Sequence, residues 1–430
     1  MTQIAGLPYK RLNFTLDDGK VKSPPAPALP AGITDLIVVS HGWHMDADAS
    51  EALYQTLIGN LVQVDAGRWD AKARNVAVWG VFWPSDRFRD DLGAETQQVV
   101  GGAAASAGGE LHREVLKAQA RQIADFLGIK DPEFEKLVVR ATASEPDADE
   151  LADVLRQAVG LNDADEQTAL DHKELAEPGS RIVANLSRAL TPASPAASAG
   201  GGGAPGQAAG FFSGASAGVA KMLNQFAYFE LKKRAGAVGE SLGALLDAAA
   251  GLDMVRIHLV GHSFGARLVT AAAAKMTRSP QSMTLLQGAF SHNSFAEKIS
   301  YGLLYKNIVG GYRKVISGKK INGPIAISHT WNDEAVGLAY PSASRVSQTV
   351  ANAIVKVSAK FGGAKDVFGG LGANGARGLP KAEGTDIVYD GVSALTLKPG
   401  HVTNLQCDFI TGHNDVGRIE AARVLHAAME

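Results

Sequence analysis

The chain is 430 residues long, 46% hydrophobic and 20% charged, enough to bury a large core as one domain with an insertion or as two domains. A formal net charge of −2 lacks the basic surplus that a nucleic-acid partner selects, so no such partner is expected and function is to be sought in chemistry. The single cysteine, Cys407, excludes an intramolecular disulfide and most thiolate metal sites.

The first eleven residues show no apolar core behind a basic start, and no stretch reaches the roughly 18 continuous apolar residues of a membrane span. A cytoplasmic protein without a transmembrane segment is the default expectation; leaderless export would leave no mark on such a sequence. Residues 12–16 and 20–22, joined by Asp17-Asp18-Gly19, read as a short hairpin, because Asp-Gly supplies the positive φ of a tight turn. A proline-rich run, 23–30, then breaks regular structure. The next run, 33–40, is too continuously apolar for a half-exposed strand and suits one buried on both faces of a parallel sheet. Similar runs recur at 76–82, 254–260, 283–290, 325–328 and 405–410.

Helical stretches alternate with them: 50–64, with Leu53, Leu57, Leu61 and Val64 on one face, then 266–276 and a terminal helix from 416. The alternation predicts a doubly wound, mostly parallel α/β sheet. One interval, between Phe82 and Met254, is too long for a simple crossover. Within it 99–109 is small and glycine-rich, 110–127 is helical, and 145–177 is acidic and reads as solvated helix and loop. Residues 191–218 are almost entirely Ala, Gly, Ser and Pro, the composition of a linker or flap. A helical pattern returns over 221–246, with Met222, Phe226, Phe229, Val238, Leu242 and Leu245 spaced to dock on the sheet. The expected organisation is a core in two parts, 1–84 and 221–430, interrupted by an inserted lid-like segment, 85–220.

The string Gly-x-Ser-x-Gly occurs three times. Gly214-Ala215-Ser216-Ala217-Gly218 lies in low-complexity sequence, and Gly239-Glu240-Ser241-Leu242-Gly243 lies inside a helical pattern. Only Gly261-His262-Ser263-Phe264-Gly265 follows a buried strand and opens a helix. A serine hydroxyl attacks well when it projects from such a sharp turn, where a base reaches its proton and backbone N–H groups face the substrate carbonyl. Close approach of strand and helix there explains the missing side chains at Gly261 and Gly265, and the helix N-terminus favours developing negative charge.

In this context the motif resembles the nucleophile elbow of the α/β-hydrolase superfamily, particularly bacterial serine lipases and esterases. The resemblance extends upstream to His41-Gly42 after a buried strand and downstream to acid and base candidates, and so spans most of the chain outside the insertion. It implies an α/β-hydrolase fold and hydrolysis through an acyl-enzyme on Ser263, with neither cofactor nor metal. By the same resemblance the backbone N–H groups of Trp43 and Phe264 form the oxyanion hole, Gly42 lets the backbone approach the substrate, and His41 is structural. The family's Ser, acid, His order requires the base after Ser263, leaving His292, His329, His401 and His413. His413 follows the last apolar run and precedes the terminal helix, where a doubly wound sheet presents its catalytic edge; His401 stands at the other end of that run. Asp415 is read as the cap of the terminal helix. For the acid, Asp333 comes first and Glu334 second in the loop after 325–328, with Asp386 and Asp390 as weaker rivals. A competing reading takes His41, His44, Asp46 and Asp48 as metal ligands, though the histidines are three apart where a metallo-β-lactamase pattern wants two.

Carboxylic esters are the leading substrate class. Phospholipase, thioesterase and serine peptidase activities need the same triad, and a non-catalytic scaffold that keeps the sheet is the alternative of another class. Phe82, Trp83, Phe88, Phe211, Phe212, Phe226, Tyr228 and Phe229 could build an acyl pocket or simply fill the core. Phe211-Phe212 beside Lys232-Lys233-Arg234 suggests transient contact with a lipid surface, against the plainer reading of a solvated helix face.

Overall fold

The computed structural model describes residues 2–17, 19–43, 45–85, 108–160, 175–187, 214–301, 305–333, 335–339 and 362–430. Phe88, Phe211, Phe212, His44, Glu334 and most of the 191–218 linker lie outside the described residues. In chain order come β1 (Gln3–Ile4), β2 (Leu7–Asn13), β3 (Thr15–Asp17), β4 (Lys20–Lys22), β5 (Asp35–Ser40), α1 (Ala47–Asp65), α2 (Arg68–Ala71) and β6 (Val76–Phe82). Next are α3 (Gly108–Leu127), α4 (Phe134–Arg140), α5 (Glu145–Val159), α6 (Gly179–Ser187) and α7 (Ala215–Ala248). Alternation resumes with β7 (Arg256–His262), α8 (Phe264–Lys275), β8 (Ser282–Leu286), β9 (Ile299–Tyr301), β10 (Tyr305–Ile308), α9 (Arg313–Ser317) and β11 (Ile325–His329). A π-helical turn (Ala335–Ala339), α10 (Leu371–Asn374), β12 (Gly384–Val388), β13 (Val402–Gln406) and α11 (Ile419–Met429) complete the order.

Two compact units divide the chain: Met1–Asp86 with Lys232–Ser342 and Ser358–Glu430, and Arg87–Leu231 with Ala343–Val357. The first holds an α/β fold around a nine-stranded sheet in the order β1-β2-β6-β5-β7-β8-β11-β13-β12. Every neighbouring pair from β2 to β12 is parallel, and only β1 runs antiparallel to β2. The chain leaves β5 for β6 on one side and returns to β7 on the other, so the order reverses between β5 and β7. At such a switch point the loops beyond the strand carboxyl ends diverge and leave a crevice. Residues 41–43 leave β5 there, and Ser263 leaves β7.

Strands β5, β6, β8 and β11 are buried along their whole length, which is why they read as continuous apolar runs. Tyr54, Leu57, Ile58 and Leu61 of α1 pack with Val424, Leu425 and Ala428 of α11 over Ile37, Val39 and Val78. Helix α8 lies against β5, β7 and β8. Helix α7 reaches α8 through two glycines: a Cβ at Gly239 would stand 2.2 Å from the Leu268 carbonyl oxygen, and one at Gly243 2.7 Å from that of Ala272. The second unit is helical among its described residues. Its α5 is acidic on one side yet buries Ala148, Leu151, Ala152, Leu155 and Val159, so this part of 145–177 is an amphipathic core helix rather than a solvated one.

Other boundaries differ from expectation for local reasons. The last core strand is Val402–Gln406, not 405–410, because 407–410 is a turn in which Ile410 N–H donates to the Cys407 carbonyl at 2.9 Å. Its polar Asn404 is buried because Asp386 Oδ1 and the Ala376 carbonyl accept its amide at 2.7 and 3.1 Å. Strand β12 escapes an apolar-run criterion because it is an edge strand whose Val388 is 77% exposed. The N-cap position of helix α11 is held by Arg418 and not Asp415, without a side-chain cap hydrogen bond. Lys232 and Arg234 are buried and Lys233 is half-buried, so the basic triplet is not a fully solvated helix face.

Candidate active site

Ser263 stands between β7 and α8 with φ 57° and ψ −122°, a conformation in which an L-residue is strained. The turn is held from both sides, its N–H donating to the Leu286 carbonyl and its carbonyl accepting from Ala289 N–H, each at 3.1 Å. A Cβ at Gly261 would stand 2.4 Å from the Gly265 carbonyl oxygen, and one at Gly265 2.4 Å from those of both Ser40 and His41. Neither glycine can carry a side chain while strand, elbow and β5 keep this distance.

Ser263 Oγ donates to His413 Nε2 at 2.7 Å, and His413 Nδ1 donates to Asp333 Oδ2 at 2.8 Å. These bonds set the tautomer: Nδ1 carries the hydrogen and Nε2 presents a lone pair to the hydroxyl. Asp333 is fully buried, and its Oδ1 accepts from Val336 N–H at 3.0 Å inside the π-helical turn. Gln287 Nε2 approaches Oδ2 at 3.4 Å while Ser328 Oγ donates to Gln287 Oε1 at 2.7 Å. Three residues far apart in sequence therefore form one relay at the carboxyl ends of β7, β11 and β13.

The loops bearing Asp333 and His413 are tied together. Asn332 donates its amide to the carbonyls of Asp408 and Ile410 at 3.0 and 3.2 Å, and Thr330 Oγ1 donates to Asp408 Oδ1 at 2.8 Å. Asp415 braces the His413 turn, its Oδ2 accepting from Thr411 N–H at 3.0 Å, Thr411 Oγ1 at 2.9 Å and Arg418 at 2.9 Å. His262 Nε2 donates to the His413 carbonyl at 2.8 Å. Burial pushes the His262 pKa down to about 3, with the nearby His413 adding to the effect, so the ring is neutral at ordinary pH.

The β5 end is equally specified. A Cβ at Gly42 would stand 2.5 Å from Ser263 Cβ and 3.0 Å from its Oγ, so backbone passes directly against the hydroxyl. The Trp43 ring meets the Phe264 ring edge-on at 6.2 Å, which brings together the two residues expected to supply oxyanion donors. His41 is a buried anchor: Nδ1 donates to the Gly42 carbonyl at 2.8 Å, Nε2 accepts from Trp83 N–H at 3.4 Å, and the ring stacks on Trp83 at 5.7 Å. Its own N–H donates to Tyr54 Oη, which donates onward to the Val81 carbonyl at 2.6 Å. Phe82 and Trp83 are thereby used in packing this turn, and Phe226, Tyr228 and Phe229 are buried.

The remaining candidates are engaged elsewhere. His401 sits at the amino end of β13, paired with Thr385 Oγ1 at 2.8 Å. His292 Nε2 donates to Tyr301 Oη at 3.0 Å, and burial lowers the pKa of His329 to about 4. Asp386 accepts from Asn404, and Asp390 caps residues 392–393. In the metal reading Asp46 is committed to the N-cap of α1, accepting from Ala49 N–H at 2.7 Å, and both ring nitrogens of His41 are engaged. A different trio, Asp65, His426 and Glu430, clusters beside a cleft of about 520 Å³ that includes none of the relay residues. His426 Nε2 donates to Asp65 at 3.0 Å and Lys72 neutralises Glu430, so a cation there would meet an N–H and an ammonium.

Gln287, Ser328, Thr330, Asn332, Asp408 and His262 escaped the sequence reading as parts of this site. A usable signal exists for two of them: Gln287 is the polar residue directly after β8 and Ser328 the penultimate residue of β11, both at the edge where the serine emerges. Comparison with protein-family models, curated proteins and solved structures returned no match. No helix among the described residues is long and apolar enough to cross a membrane.

Proposed function

We propose that this chain is a serine hydrolase of the α/β-hydrolase type that cleaves carboxylic esters through an acyl-enzyme on Ser263. The observation that carries the reading is the Ser263–His413–Asp333 relay, with bonds of 2.7 and 2.8 Å, at the switch point of a parallel sheet. In the proposed cycle Ser263 Oγ attacks the acyl carbonyl as its proton passes to His413 Nε2, and Asp333 stabilises the resulting imidazolium. The tetrahedral oxyanion is stabilised by the N–H groups of Trp43 and Phe264, the latter at the first turn of α8, whose dipole favours negative charge. Collapse expels the alcohol, which takes its proton from His413, and water activated by the same imidazole then hydrolyses the acyl-enzyme.

Covalent labelling with a fluorophosphonate probe tests this directly. Wild type is expected to label at one serine and Ser263→Ala not at all. A wild type that resists the probe, or labelling that survives the substitution, overturns the reading. Hydrolysis of a series of esters and thioesters of graded acyl length then assigns the substrate within the class.

A further inference from the structure

The motif residue before the nucleophile has a partner that packing alone does not require. His262 is 3% exposed and closes β7, and its Nε2–H donates to the main-chain carbonyl of His413 at 2.8 Å. The two imidazole rings lie 4.9 Å apart at 42°. Asp415 makes the turn around His413 internally rigid, and Asn332 fastens that turn to the acid-bearing loop. Neither attaches it to the strand that carries Ser263. His262 does, because it is adjacent to the serine in sequence and bonded to the histidine's own backbone.

We infer that His262 is a positioning residue, a hydrogen-bond donor that fixes the base-bearing turn at reacting distance from the elbow. The inference rests on the hydrolase reading proposed above. Its physical basis is that proton transfer from Ser263 Oγ needs His413 Nε2 held within hydrogen-bond reach, and a displacement of about 1 Å can cost on the order of a hundredfold in rate. A carbonyl pinned through the main chain restricts the imidazole without consuming either ring nitrogen, both of which the relay uses.

Two further features favour a donor role over simple filling of space. His262 Nδ1 has no hydrogen-bond partner among the described residues, so the ring buries an unmatched acceptor that an apolar side chain of similar size would avoid. The desolvation that keeps His262 uncharged also suits its place: a cation 4.9 Å from the base would oppose the imidazolium formed during attack. A lysine or arginine could donate to the same carbonyl, but only by adding that charge.

The test compares His262→Met, which fills the space without a donor, with His262→Gln, which keeps an amide N–H. Probe labelling rates, kcat and KM on a short-chain ester and melting temperatures are measured for both beside wild type. His262→Met is expected to label at least about tenfold more slowly and to lose kcat with little change in KM, while His262→Gln recovers most of the rate at a similar melting temperature. Labelling of His262→Met at the wild-type rate, or of His262→Gln as slowly as His262→Met, overturns the inference while leaving the hydrolase reading intact. A wild type that does not label overturns both. Should His262→Met fail to fold, nitrogen-15 spectra of the wild-type histidines decide. An Nε2–H tautomer at about pH 8 is required, and an Nδ1–H tautomer at His262 refutes the role.

Discussion

In the proposed hydrolase each residue of the relay has a separable electronic task. An asparagine at 333 would fill the same volume but could turn its NH₂ group toward His413 Nδ1, favouring the tautomer whose Nε2 already carries a hydrogen and cannot accept the proton of Ser263. Asp333→Asn is therefore expected to lower kcat by about 10⁴ with a nearly unchanged melting temperature, read by ester turnover and calorimetry. A loss below tenfold would show that the buried carboxylate does not set the tautomer. Gly42 makes a steric counterpart. An alanine methyl 2.5 Å from Ser263 Cβ must displace either the β5 turn or Ser263, so under the hydrolase reading Gly42→Ala should slow probe labelling by about a hundredfold while the protein still folds. Labelling at the wild-type rate would mean that the turn relaxes freely. Ser263 and His413 were legible because each follows an apolar run in the order that the hydrolase resemblance implies, and Asp333 was legible chiefly through that resemblance. Most of their supports were not legible, since the hydrogen bonds from Asn332 and His262 depend on how separate loops face one another.

Among elements, legibility followed burial on both faces. Strands β5, β6, β8 and β11 announce themselves because a parallel strand between helices is apolar throughout. Edge strand β12 does not, and β13 is legible only at its last two residues, because exposure in one and the hydrogen-bonded Asn404 in the other break the apolar run. The decoy string at 239–243 has its own structural meaning. Its glycines bring α7 against the α8 backbone, while its serine makes an exposed contact with Ser23 Oγ at 2.8 Å. Gly239→Leu must push the helices apart and should cost about 1–3 kcal/mol or more, seen as a lower urea midpoint. Ser241→Ala in the same string should shift that midpoint by less than about 0.5 kcal/mol. Equal effects from the two substitutions would contradict a packing role for the glycine pair.

At the scale of the molecule, buried neutral histidines make folding depend on pH. Burial holds His262 and His292 down to about 3 and His329 to about 4, against an ordinary 6.5, and also lowers His258, whose Nε2 donates to buried Asp35. Each folded-state value lies below the unfolded one, so the unfolded chain takes up protons first as pH falls. Stability is full above about pH 6.5 and declines from there toward pH 3–4, by up to about 1.4 kcal/mol per pH unit for each such histidine. Asp35, held far below the usual carboxylate range by the His258 and Arg74 hydrogen bonds, adds a second loss of the same sign that begins only below about pH 4. The urea midpoint should therefore be flat from pH 8 to about pH 6.5 and fall steadily below it, before ordinary carboxylates titrate. Replacing His292, which the relay does not use, separates the histidine contribution from general acid effects. His292→Gln can still donate to Tyr301 Oη but cannot be protonated, so whatever it costs at pH 8, its midpoint should fall less steeply between pH 6.5 and 4 than that of wild type. Parallel slopes for the two proteins would remove His292 from the account, and a wild-type midpoint unchanged down to pH 4.5 would refute the coupling altogether.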